Sequence, residues 1–350
     1  MPEPVYLPAL KGRQGEFTAL ADIQPVTRRT VLPVIEIVPG PVDDAATLRT
    51  IVDKTVRKLG VWAGSRLLLD TGWLPGDIEL RAGVGVLGYA TAAAGDAGIG
   101  ATPVVRLNDA ELAHRDARLH AERGHGIAVR LNVEDMDEDP EDLEEALMAL
   151  LHRLGRSPAE VDLLLDLGAV DGDVAVRTGA RLIRDVLHGL PEPEAWRGLV
   201  VLAGAFPTDL QAVQPWTLGE LPRRDAMLHD HLRRRPLPRV PTFGDYAVAH
   251  PLLVTGPAFP AAPQLRYTAS DRWLVLKGRR NDPEGHEQFY RVCEAIARHP
   301  EFAGAALGRA DARIADPRRE GPGNASTWRA IATTHHLDYL AHRLTILGEP

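Results

Sequence analysis

Ionisable residues stand at or near the ends of short apolar runs along most of this 350-residue chain, and that recurrence is the first sign of chemistry. Lys11 closes one run and Glu36 lies in the next. Asp70, Arg106, Arg130, Asp166 and Asp245 follow in later ones, with Asn132 and Tyr246 close by. A charge in an apolar run is costly unless it is paired or lies at a wet end. Two readings are open. In one, Lys11, Glu36, Asp70, Asp166 and Asp245 are catalytic: the carboxylates would hold a divalent metal or move protons, while Arg106, Arg130, Asn132 and Tyr246 bind an anionic substrate. In the other, cations and carboxylates neutralise one another in a structural ion-pair layer.

A second set of polar residues lies late in the chain. Lys277, Arg279 and Arg280 surround Gly278 at the end of a β-like run, and the stretch 323–340 carries Trp328, Arg329, His335 and His336. The cations would suit phosphate or carboxylate. Neighbouring residues on a helix point about 100° apart, so His335 and His336 cannot act as the i, i+4 couple of a zinc helix. We expect this tail to form a lid, with Arg279 or Arg280 and one of the two histidines over the site. Other candidates read more plainly. Glu16 begins a helix or reaches the same face as Lys11, His114, His120 and His125 read as solvated surface, and the basic run 228–239 reads as a solvated face. The letters G-x-G-x-x-G occur at 83–88, but inside an apparent helix rather than after a strand, which argues against a phosphate loop.

What would position these groups is a repeat of strand and helix. Eight Val-, Ile- and Leu-rich runs cover 5–11, 31–38, 65–72, 102–108, 126–132, 161–168, 199–206 and 241–248, with helical periodicity between them, as in 43–59 and 139–154. Near-even spacing and no dinucleotide fingerprint favour an eight-stranded (β/α) TIM-type barrel over an open doubly wound sheet. In such a barrel all the strand ends meet at one rim. Strand seven alone offers no polar end, only Gly204, Ala205 and Phe206. The barrel is expected to span 1–250. A Pro-rich stretch at 251–263 then leads into a C-terminal extension, 251–350, with a hairpin around Ser270 and Asp271 and helices near 284–299 and 326–347.

Composition narrows the function. A net charge of −8 argues against broad nucleic-acid binding, which depends on a dense basic surface. The single cysteine, Cys293, excludes an intramolecular disulfide and a cysteine-based zinc cluster, as suits a reducing, cytoplasmic compartment. No apolar run reaches the ~18 residues of a membrane span, and the N-terminus has no apolar signal region. No G-x-S-x-G turn points to acyl transfer.

Three segments carry a resemblance: YLPALKGRQGEFTAL at the start, KGRR at 277–280, and GNASTWRAIATTHHL from 323. Together they resemble the beta protein family of phages and bacteria, with a layout matching over nearly the whole chain. The resemblance implies a barrel-like protein of unassigned activity with a part in conflict between phage and host. It carries over no catalytic residues. Two functions therefore stand side by side: an enzyme, a hydrolase or lyase acting on a small anionic or phosphorylated substrate, and a non-catalytic protein that binds a ligand or a protein partner.

Overall fold

The computed structural model describes residues 4–40, 44–253 and 261–350. Its centre is a closed barrel of eight parallel strands: β1 (Tyr6–Leu10), β2 (Val34–Glu36), β3 (Arg66–Asp70), β4 (Gly100–Val105), β5 (Ile127–Leu131), β6 (Val161–Ala169), β7 (Gly198–Gly204) and β8 (Thr242–Asp245). Neighbours in sequence are neighbours in the barrel, and β8 closes it by pairing with β1, Tyr6 beside Phe243 and Pro8 beside Asp245. All eight expected runs form its strands. Helices start where their caps place them. Asp44 accepts from the Thr47 N–H to open Ala45–Leu59, and Asp139 does the same for Pro140–Leu154.

Strand geometry sends alternate residues to opposite faces. Leu7, Ala9, Val34, Leu68, Val104, Ala128, Leu164, Val200 and Leu202 point inward and fill the barrel as a packed core. The outward set packs against the helices in larger clusters.

The C-terminal part opens with a hairpin, β9 (Gln264–Thr268) and β10 (Arg272–Lys277), as expected. A short strand, Gly219–Pro222, pairs with β10 and makes a three-stranded sheet. Helix Gln288–Ala297 lies within the expected range, and an unforeseen short helix, Arg309–Ala315, interrupts the connector. The last helix, Ala325–Ile346, packs along the first, Gln14–Asp22, and its Leu337, Leu340 and Ala341 share a core with Tyr6, Leu10 and Phe243. Residues 254–260 of the Pro-rich stretch lie outside the described residues.

Three sequence expectations need correcting. Of the 83–88 glycines only Gly88 sits inside a helix: Val84–Gly85 is a two-residue strand, and the helix begins at Val86. The N–H groups of Gly85 and Gly88 both donate to Asp116, so a carboxylate already fills the place of a phosphate. His114 and His120 are buried rather than solvated, each with its Nε2 on a strand-four carbonyl or its neighbour, Arg106 and Ala101 respectively. The side chain of His125 lies outside the described residues. The run 228–239 starts on the helix Arg224–Arg233; its Arg233, Arg234 and Arg235 are exposed as expected, but its His229 is buried edge-on against Phe243 at 5.4 Å.

Candidate functional site

The polar layer at the rim follows from the two-residue period of the strands. One step beyond each inward apolar residue comes the next inward position. Ala9 leads to Lys11, Val34 to Glu36, Leu68 to Asp70, Val104 to Arg106, Ala128 to Arg130 and Leu164 to Asp166. On β7 and β8 the same step gives Gly204 and Tyr246. A Cβ on Gly204 would fall 3.0 Å from the Tyr246 ring and nearer still to Pro251, so glycine makes room for both.

Arg130 organises the layer. Its Nε and Nη2 donate to Asp166 at 2.9 and 2.7 Å, and Nη2 also reaches the Tyr246 hydroxyl at 2.6 Å. Its Nη1 donates to Glu36 at 2.8 Å and to Asp70 at 2.5 Å. Tyr246 passes its own proton toward Asp166, 2.6 Å away. Arg106 grips Asp70 from the other side with two parallel bonds of 3.0 and 2.8 Å. Lys11 donates to the carbonyls of His250 and Pro251 and lies 3.7 Å from Glu36. Three cations thus face three carboxylates.

The electrostatics agree with this pairing. Burial opposes ionisation of Asp70, but Arg106 and Arg130 overcome it and hold the carboxyl below the usual range. Burial likewise disfavours the Arg130 charge, yet Tyr246, Asp166, Asp70 and Glu36 outweigh it and raise its pKa well above the ordinary value. Burial lowers Lys11 despite Glu36 and Glu16. The guanidinium of Arg130 occupies the space between the carboxylates that a metal ion would need. Among the described residues no cluster of three or more His, Cys, Asp or Glu side chains is set to hold a metal.

Asp245 does not join the layer. It faces outward, because Gly244 and Tyr246 on either side face inward. There it accepts from the Tyr6 hydroxyl at 2.5 Å and meets Nε2 of His336 at 2.8 Å, with Nδ1 of His336 on Thr268. His335 is equally buried, between Asp311 and the Thr268 carbonyl. Both histidines therefore lie between the last helix and its supports, and neither stands over the barrel mouth. The rest of the expected lid is absent as well. Lys277 bonds the Leu210 carbonyl, and Arg279 is an exposed residue whose backbone N–H donates to Gln288; Arg280 is exposed too. Trp328 is a core residue, bonded to the Pro322 carbonyl and stacked on Phe289. Asn132 caps the short helix Val133–Met136.

Arg329 is the member of the tail that reaches the rim. It lines a cavity of about 440 Å³ with Lys11, Arg13, Glu16, His250 and Arg266, between the loops after β7 and β8 and the start of the last helix. Glu16 fulfils both of its expected roles, closing the first turn of its helix onto the Arg13 N–H and facing this cavity. Burial pushes its carboxyl up, against the pull of Arg329. Sequence reasoning missed Arg13 and Arg266. Arg13 stands two residues past Lys11, which is a signal that was available; Arg266 lies mid-strand in the hairpin and gave none.

Fold and site together define a (β/α) barrel with a self-neutralised polar floor and a cationic cavity at one side of its rim. The model of the beta protein family matches residues 6–342, nearly the whole chain. The chain belongs to the beta protein family. Among solved structures, a mutant tryptophan synthase alpha-subunit from the hyperthermophile Pyrococcus furiosus is similar over 70% of this chain and 87% of its own, at 12% identity and a TM-score of 0.37. The barrel itself is established by its strand pairing. No curated protein matches the chain.

Proposed function

We propose that this protein is a ligand-binding barrel whose rim cavity takes a small anionic molecule. The observation that supports this is the charge of the lining: beside Lys11, which Glu36 balances, Arg13, Arg266 and Arg329 face it against the single carboxylate of Glu16. In a cleft with low-dielectric walls such an excess attracts anions from a distance, even on a protein that is acidic as a whole. The floor beneath works as a support. Its carboxylates are engaged by Arg130 and Arg106, so they are poorly placed to bind a metal or exchange protons with a substrate. Conflict between phage and host is the setting we propose for the binding, on the family resemblance alone.

The test is thermal unfolding in a panel of acetate, sulfate and phosphate at fixed ionic strength, beside a titration with magnesium and manganese. At least one anion should raise the melting temperature in a saturable way, in wild type and in Asp166→Asn alike. A saturable rise with the divalent metal, lost in Asp166→Asn, would return the function to the carboxylates and overturn this reading.

A further inference from the structure

Within the rim cavity, two half-buried arginines differ from the cations of the polar floor beneath it. Arg266 and Arg329 both donate through Nη1 to one acceptor, the carbonyl of Val248, at 2.6 and 3.1 Å. Neither has a carboxylate within salt-bridge distance among the described residues, whereas Lys11, Arg106, Arg130 and Arg223 each do. Burial and the neighbouring Arg329 pull Arg266 well below the usual arginine value, and burial lowers Arg329 in turn. Glu16 acts on Arg329 only at longer range, outside salt-bridge contact. A guanidinium nevertheless stays charged in a protein, so two held side by side with no carboxylate in contact make a standing demand for an anion.

Both groups are fixed in place. The guanidinium carbon of Arg266 lies 4.4 Å from the centre of the Phe206 ring, a cation–π contact that holds it against the ring. The stem of Arg329 passes over Gly15, where an added Cβ would meet Arg329 Cγ at 2.8 Å and the Ser326 carbonyl at 2.9 Å. Any larger residue there must push the last helix away. The Ser326 and Thr327 N–H groups of that helix are already taken by the Asn324 side chain, so the helix adds the field of its N-terminus rather than free donors. With Lys11 tied to Glu36, the remaining cations Arg13, Arg266 and Arg329 outnumber Glu16 by two charges.

We propose, resting on the anion-binding reading above, that the ligand is a phosphate monoester whose dianionic phosphoryl group sits between Arg266 and Arg329. A surplus of two charges matches a phosphoryl dianion and exceeds a carboxylate. Planar guanidinium forks suit its oxygens. The placement fits the barrel as well, since phosphate sites in this fold recur where the loops after strands seven and eight meet the N-terminus of an additional helix. The cavity is larger than a phosphate, and Pro207, Ala249 and Leu252 give it an apolar side for the organic part.

Calorimetric titration with inorganic phosphate, methyl phosphate and acetate at constant ionic strength tests this on the full chain. Methyl phosphate should bind at least tenfold tighter than acetate. Arg266→Gln and Arg329→Gln should each weaken methyl phosphate tenfold or more, Arg266→Lys should recover part of that loss, and Arg279→Gln on the exposed hairpin should change it less than twofold. Should either glutamine variant fail to fold, the comparison of the two ligands on wild type decides alone. Equal affinity for acetate and methyl phosphate would overturn the phosphate assignment and leave the anion-binding reading standing. Binding of none of the three would remove both.

Discussion

Arg130 shows how much can depend on one side chain. Five hydrogen bonds join it to Glu36, Asp70, Asp166 and Tyr246, and all of these partners are buried. A lysine has a single ammonium with three donors and cannot span that set. Arg130→Lys should therefore cost about 3 to 5 kcal/mol of stability, the scale for breaking a buried ion pair, read from urea unfolding. A loss below about 1 kcal/mol would show that the layer is not structural. Asp70→Asn should destabilise too, and in a pH-dependent way. The Asp70 carboxyl titrates lower in the folded than in the unfolded chain, so its contribution is complete above the unfolded value of about 3.9 and fades as pH falls below it. The difference between wild type and Asp70→Asn should be largest near pH 7 and shrink in acid. Six of the seven charged residues expected at the rim were legible from sequence because each ends an apolar run. Asp245 was misplaced for a reason the sequence also contained, since adjacent strand residues cannot face the same way and Tyr246 had the better claim to the interior.

At the level of elements, the contact between β8, the helix Arg224–Arg233 and the last helix is where polar groups replace the usual apolar seam. His336 bridges Asp245 and Thr268, and its removal leaves a buried carboxylate with the Tyr6 hydroxyl and the Ala247 N–H as its remaining partners. His336→Ala should thus lower the melting temperature by several degrees while leaving anion affinity within about twofold, the reverse of what a lid histidine would do. His229, across Phe243, gives a pH signature. Burial lowers it from 6.5 to about 4, so the unfolded chain binds a proton before the folded one does. Stability from this source is complete above pH 6.5 and lost as pH falls toward 4, about 2 kcal/mol by pH 5. Urea midpoints from pH 7.5 to 5 should drop less steeply in His229→Gln than in wild type; parallel slopes would contradict the assignment. Helices with strong caps were readable from sequence, as Asp44 and Asp139 show. Those around His114 and His229 were read as solvated because polar letters outnumber apolar ones, although the polar side chains turn inward to strand carbonyls and rings.

For the whole molecule, the decisive feature is where the two ends of the chain meet. About 80 residues separate β8 from the helix that covers its outer face, and the hairpin sheet and two shorter helices are inserted between them. Two of the three segments that carry the resemblance converge for the same reason: Lys11, Arg13 and Glu16 from the first and Arg329 from the last line one cavity. A sequence read from left to right suggests a barrel finished at residue 250, because eight strand patterns are complete by then. Closure of a sheet, however, is not closure of a core. Without the last helix, Tyr6, Leu10 and Phe243 lose the apolar cover of Leu337, Leu340 and Ala341, and Asp245 loses His336. Apolar surface returned to water and a half-paired buried carboxylate both count against a folded state that is marginal to begin with. A chain ending at residue 250 should consequently lack a cooperative thermal transition and bind a hydrophobic dye, while the full chain unfolds cooperatively and excludes it. Adding a peptide of residues 322–350 should restore part of the transition if the covering helix is what is missing. A 1–250 chain that melts sharply near the full-length temperature would show instead that the barrel is complete on its own and that the last helix merely docks on it.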